Sequence, residues 1–110
     1  MKKILISDQD NSSIAYYLGV IRGHTKIIAL NADDTVNQFQ DYKPEVVILG
    51  SRLNNGNGFD VAKKIRSLSS DVKIIMISGD TTVKNQALES GCNNFFLKPI
   101  SKEAILALID

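Results

Sequence analysis

Val46-Val47-Ile48-Leu49-Gly50-Ser51-Arg52 lies near the middle of the 110-residue chain, and its first four residues decide how the rest is read. Four apolar residues without a polar interruption describe a strand covered on both faces, because a strand with one wet face would alternate. Outward from it the same kind of run recurs, as Ile4-Leu5-Ile6, Lys26-Ile27-Ile28-Ala29-Leu30, Ile74-Ile75-Met76-Ile77 and Phe95-Phe96-Leu97. Three of the five are rich in Ile or Val and apolar without alternation, so the strands need cover on two sides, and the segments between them supply it.

Those segments carry helical periodicity. Ile14, Tyr17, Leu18 and Ile21 fall at i, i+3, i+4 and i+7, behind Asn11 and Ser12 as capping residues and ahead of Gly23 as a stop. Residues 33–40 read as a helix on Val36 and Phe39. Val61, Ile65 and Leu68 mark a third, opened by Asp60 or Asn57, and Val83, Ala87 and Leu88 a fourth, ended by Gly91. Ile105, Leu106 and Ile109 mark the last, after Pro99 and capped by Ser101. Regular alternation of strand and helix implies a parallel sheet with helices on both faces, joined by right-handed crossovers. The expected fold class is therefore α/β, a doubly wound flavodoxin-like (βα)5 with strand order 2-1-3-4-5.

Residues 1–110 are expected to form one domain, long enough to bury roughly 65% of the surface its unfolded chain exposes. The last helix, of about ten residues, is short for such a domain, and the expectation is a chain cut from something longer. Hydrophobic residues make up 44% and charged residues 23%, which excludes disorder. Thirteen Lys and Arg oppose 12 Asp and Glu with no basic stripe, so nucleic-acid binding by this domain is not expected. Behind Met1-Lys2-Lys3 the apolar run is only Ile4-Leu5-Ile6, too short for a signal peptide or for a membrane span of ~20 residues. Cys92 has no second cysteine to pair with, which fits a reducing compartment, and a cytoplasmic location is expected. Cys92 reads as a small buried apolar residue, and His24, beside Gly23, as a solvated loop residue.

Open α/β sheets bind ligands beyond the carboxyl ends of their strands. The residues there are Ser7-Asp8-Gln9-Asp10, Gly50-Ser51-Arg52, Ser78-Gly79 and Lys98-Pro99, so an acid, a hydroxyl and a lysine converge on one pocket. Taken singly, Asp8 also suits a helix cap and Ser78 a turn. Gly50 also suits a tight turn, and the Asn-Gly cluster from Asn54 to Gly58 is turn chemistry rather than a phosphate cradle.

Over nearly its whole length the sequence resembles the receiver domain of bacterial response regulators. The resemblance rests on KILISDQD at the start, KPEVVILGSRLNNGNGFDVAKKIR in the middle, and VKIIMISGD followed by ALESGCNNFFLKPIS. It implies a phosphoryl group taken from a histidine kinase onto an aspartate that ends the third strand. It also implies Mg²⁺ held by paired acids after the first strand, signalling through the fourth helix, fifth strand and fifth helix, and a cis bond before Pro99. The departures fall on that chemistry. Aligned on VVIL, the acceptor position is Gly50; the paired acids become Asp8 and Gln9, followed by Asp10; Arg52 stands where a backbone carbonyl binds the metal. Asn54 replaces the loop proline, and Phe95 holds the switch aromatic position without a hydroxyl.

An acyl phosphate needs a carboxylate nucleophile. Mg²⁺ suits a site of net charge about −2, whereas Asp8 against Lys98 leaves about zero and an inward Arg52 would make the pocket positive. The expectation is a receiver-like module that is not an enzyme, lacks the acceptor, binds Mg²⁺ weakly or not at all, and acts by protein–protein contact. Lys98 is expected to pair with Asp8, since a buried ammonium without a partner is costly. Two other readings stand beside it: a phosphoacceptor that uses Asp8 or Asp10, and a small-anion sensor between Lys98, Ser78 and Arg52.

Overall fold

The computed structural model describes residues 1–110. Five parallel strands form the central sheet: β1 (Lys3–Ser7), β2 (Thr25–Ala29), β3 (Val46–Leu49), β4 (Lys73–Ser78) and β5 (Asn94–Leu97). Their spatial order is β2-β1-β3-β4-β5, the doubly wound order expected from the alternating runs. Register places Ser7 beside Ala29 and Leu49, level with Met76, so three strand tips end together while β4 and β5 run two residues further, to Ser78 and Leu97.

Five helices cover the sheet: α1 (Asn11–Val20), α2 (Ala32–Tyr42), α3 (Gly58–Leu68), α4 (Lys84–Glu89) and α5 (Lys102–Ile109). Side chains alternate across the strands and build two apolar layers. Leu5, Val47, Leu49, Ile74 and Met76 pack with Phe39, Val61, Ile65 and Ala87, under α2, α3 and α4. Ile4, Ile6, Val46, Ile48, Ile75 and Ile77 pack with Ile14, Tyr17, Ile105 and Ile109, under α1 and α5. All four residues of β3 are buried, as its unbroken apolar run requires.

The helix starts follow side-chain oxygens that take up free N–H groups. Asn57 and Ser101 cap α3 and α5 as expected, and Asn31 caps α2 through the N–H of Asp34. The cap of α1 is Asp10, ahead of the expected Asn11 and Ser12, which lie inside the helix. Two apolar residues taken for core face outward: Leu68 is 45% exposed and Leu88 41%. Their helices are held instead by Ile65 and Ala87, both fully buried. Between β3 and α3 a two-residue ladder pairs Arg52–Leu53 with Gly56–Asn57, turned at Asn55 with φ 60°. The Asn-Gly cluster is thus the bend of a small hairpin. No helix is long and apolar enough to cross a membrane.

Candidate functional site

Beyond Ser7 the chain leaves β1 and turns into α1, carrying Asp8 over the strand tips. Asp8 is 5% exposed. Its Oδ1 accepts the backbone N–H of Asp10 at 2.9 Å, and its Oδ2 accepts Lys98 Nζ at 2.9 Å. Lys98 follows β5, its backbone N–H donates to the carbonyl of Ser78 at 2.8 Å, and its bond to Pro99 is cis. The expected pair between Lys98 and Asp8 is therefore present, and it joins residues 90 apart in sequence across the ends of β3 and β4. Asp8 makes an Asx-type turn onto Asp10 and leaves the helix cap to it.

Asp10 lies 4.0 Å from Lys98 Nζ but is engaged elsewhere. Its carboxylate takes the Ser12 hydroxyl at 2.7 Å, the Ser13 hydroxyl at 2.9 Å and the Ser12 N–H at 3.1 Å. The Ser12 hydroxyl, then that of Ser13, then the Ser12 N–H bring its pKa down to about 2. Each of these bonds favours the charged form.

Gly50 ends the run of β3 and donates its N–H to the carbonyl of Ser7 at 2.8 Å, so the tips of β1 and β3 are tied together. Beside it the hydroxyls of Ser51 and Ser78 share a hydrogen bond of 2.7 Å, and Ser78 Oγ also accepts the N–H of Asp80. Asp80 in turn accepts the hydroxyl and then the N–H of Thr82, which lower its pKa.

These groups line an open cleft of about 480 Å³ formed by Asp8, Gln9, Asp10, Ser51, Arg52, Ser78, Gly79, Asp80 and Lys98, with no apolar residue among them. Asp8, Gln9, Arg52, Ser78 and Lys98 are brought together as the sequence predicts, above Gly50. The charge is not as expected. Three carboxylates face two cations, so the cleft carries one net negative charge rather than zero or a positive one. Arg52 is exposed at the cleft mouth, where its charge favours ionised Asp80, and its carbonyl takes the N–H of Gln9 at 3.4 Å. Asp80 is the member that residue reading passed over. A carboxylate two residues past Ser78, in the loop that leaves the tip of β4, was the signal for Asp80.

Other readings separate on burial. Phe95, at the switch aromatic position, and Phe96 are each half-buried against opposite apolar layers, and Leu97 is the exposed residue of β5. His24 is half-buried, and its Nδ1 accepts the N–H of Lys2 at 3.0 Å, which ties the start of β1 to the turn before β2. The solvated loop histidine expected there is instead a structural acceptor. Cys92 is buried, and burial pushes its thiol up to about 11, leaving it unreactive.

With this geometry in view, the relatives are informative. A family profile described as the response regulator receiver domain matches residues 4–110. The sensory transduction protein LytT of Oceanobacillus iheyensis is 38% identical over 77 residues, covering 68% of this chain and 31% of LytT. The probable transcriptional regulator ycf27 of Guillardia theta is 33% identical over 98% of this chain and 44% of its own length. The chain thus spans less than half of each of these two relatives. The crystal structure of a putative response regulator from Chloroflexus aurantiacus superposes with a TM-score of 0.92, at 23% identity, over 98% of this chain and 93% of that one. That likeness shows the fold, and the profile match shows the kinship: the chain belongs to the response regulator receiver domain family.

Proposed function

We propose that the chain is a pseudo-receiver of a two-component system, a module that works without being phosphorylated and acts through protein–protein contact. The observation that carries this reading is the glycine at the tip of β3, beneath a lysine already paired with Asp8. Acyl phosphate formation needs a carboxylate oxygen free to attack. Asp8 has both oxygens engaged and is nearly out of solvent; Asp10 has both committed to capping α1. These engagements favour the reading in which neither serves as a substitute acceptor.

The donor set is also a poor fit for Mg²⁺, which prefers several hard oxygens in octahedral geometry. Asp8 is spent on Lys98, Gln9 is a neutral amide, and no three acidic, histidine or cysteine side chains are grouped as a metal site. The net negative cleft disfavours the anion-sensor reading as well.

The partner surface in this proposal is the face of α4, β5 and α5, where Leu88 and Leu97 are 41% and 46% exposed. Its partner is a protein of cytoplasmic two-component signalling, either a histidine kinase, an attached output segment or another signalling protein. The ycf27 relative, more than twice as long as the matched segment and named a transcriptional regulator, favours an attached output segment. Incubation with acetyl phosphate and Mg²⁺ followed by intact-mass measurement tests the proposal. An unchanged mass is expected, and the gain of one phosphoryl group would overturn it.

A further inference from the structure

The room at the tip of β3 is filled by Asp8. A Cβ placed on Gly50 would stand 2.8 Å from Asp8 Cγ, 2.8 Å from Oδ2 and 3.0 Å from Oδ1. Any side chain at position 50 therefore obliges this carboxyl group to move. It is not free to do so, because one oxygen holds the Asp10 N–H and the other holds Lys98, and the side chain is 3% exposed. The backbone does not call for glycine. The positive-φ glycines are Gly23, Gly56 and Gly91, and Gly50 is not among them. An L-residue fits its dihedrals. What excludes a side chain is the carboxylate above it.

We propose that Gly50 and Asp8 form one coupled unit, in which the missing Cβ admits Asp8 into the acceptor's room and makes it the permanent counter-charge of Lys98. The cleft then contains its own carboxylate, and the tips of β1 and β5 are locked together over β3 without any ligand. This deepens the phosphorylation-independent reading by naming what holds the site in one state. Loss of the acceptor is, on this account, a requirement of the lock rather than a passive gap.

A double-mutant cycle of Gly50→Ala and Asp8→Ala tests the coupling. Thermal unfolding gives the magnitude, and the Asp10 amide resonance, which senses the Asp8 carboxylate directly, gives the pose. Gly50→Ala alone is expected to lower Tm by about 5 °C and to move the Asp10 amide. In the Asp8→Ala background the same change should lower Tm by less than about 1 °C, or raise it through a stiffer unfolded chain. Equal losses in both backgrounds, or an unchanged Tm and Asp10 amide in Gly50→Ala, would overturn the proposal. Should Gly50→Ala fail to fold, adding Asp8→Ala should restore folding, and a failure to restore it counts against the coupling too. No phosphodonor enters the experiment. Phosphorylation of the parent chain would defeat the proposed function alone, and an additive cycle would defeat this inference alone.

Discussion

Lys98 and Arg66 are both cations that tie together distant parts of the chain, yet they are answered in opposite ways at opposite ends of the sheet. Lys98, above the carboxyl ends of the strands, meets a carboxylate in a polar cleft open to water. Arg66, in the last turn of α3, meets only neutral oxygens. Its guanidinium donates to the carbonyls of Ser69, Ser70, Val72 and Gly91 and to Asn93 Oδ1, at 2.8 to 3.3 Å. Asn93 Oδ1 also takes the N–H of Ile74, so one planar fork fixes the end of α3, the start of β4 and the α4–β5 turn. The difference separates two kinds of polar structure. Arg66 satisfies backbone groups and has no spare valence for a ligand. Lys98 forms a pair that a substituted neighbour can break, and this makes the cleft the adjustable end of the molecule.

The most severe way to break the comparison is at the floor of the cleft. A Cβ on Gly58 would lie 2.0 Å from the carbonyl oxygen of Gly50 and 2.9 Å from the end of Met76. Backbone cannot rotate aside as a side chain can. Gly58→Ala should cost more than ~3 kcal/mol in urea unfolding. Amide exchange should rise around residues 50–58 while the Arg66-bound turn at 91–93 stays protected. Next comes Lys98→Met, which keeps the stem and removes the ammonium. Asp8 is then left with the Asp10 N–H alone. The loss should be about 2 to 3 kcal/mol by denaturant titration, short of a fully buried pair because the Lys98 side chain is 26% exposed.

At the other end, Arg66→Ala strands several carbonyls and should cost about 2 kcal/mol. Arg66→Lys should recover little of it, because a point charge cannot reach the same set of oxygens. An Arg66→Lys variant as stable as the parent would erase the distinction drawn between the two cations. The smallest effect belongs to pH. Asp10 has its pKa lowered from 3.8 to about 2, so its cap contributes fully above 3.8 and is lost as pH falls through about 2. Amide exchange at the start of α1 should quicken across that window, and Asp10→Asn should remove the pH dependence there.

The fold was legible because its signals are long and redundant. Five apolar runs and five helical segments point to one topology, and a slip at any one leaves it intact. Ser101 was readable as a cap because it stands alone before its helix, and Asn57 only as one of two candidates with Asp60. Asp10 was not, because it heads a polar run with Asn11, Ser12 and Ser13, and only the backbone shows which residue is extended. Leu68 and Leu88 fit a stripe by spacing but sit at its edge, where helix length and tilt decide exposure. In the site, the Lys98–Asp8 pair followed from charge and placement. The sign of the whole cleft did not, since it depends on Asp10 and Asp80 both lining it, which loop geometry sets. The coupling of Gly50 to Asp8 is a matter of tenths of an ångström and leaves no mark in spacing at all.

Beryllofluoride added with Mg²⁺ imitates a phosphoryl group on an aspartate, and it probes the cleft more directly than any substitution. Followed by amide resonances of Asp8, Ser51, Ser78 and Lys98, the titration should leave all four in place at millimolar concentrations. Saturable shifts at those residues would mean that some carboxylate here still accepts a phosphoryl group, and the claim that Lys98 is already satisfied from within the chain would be wrong.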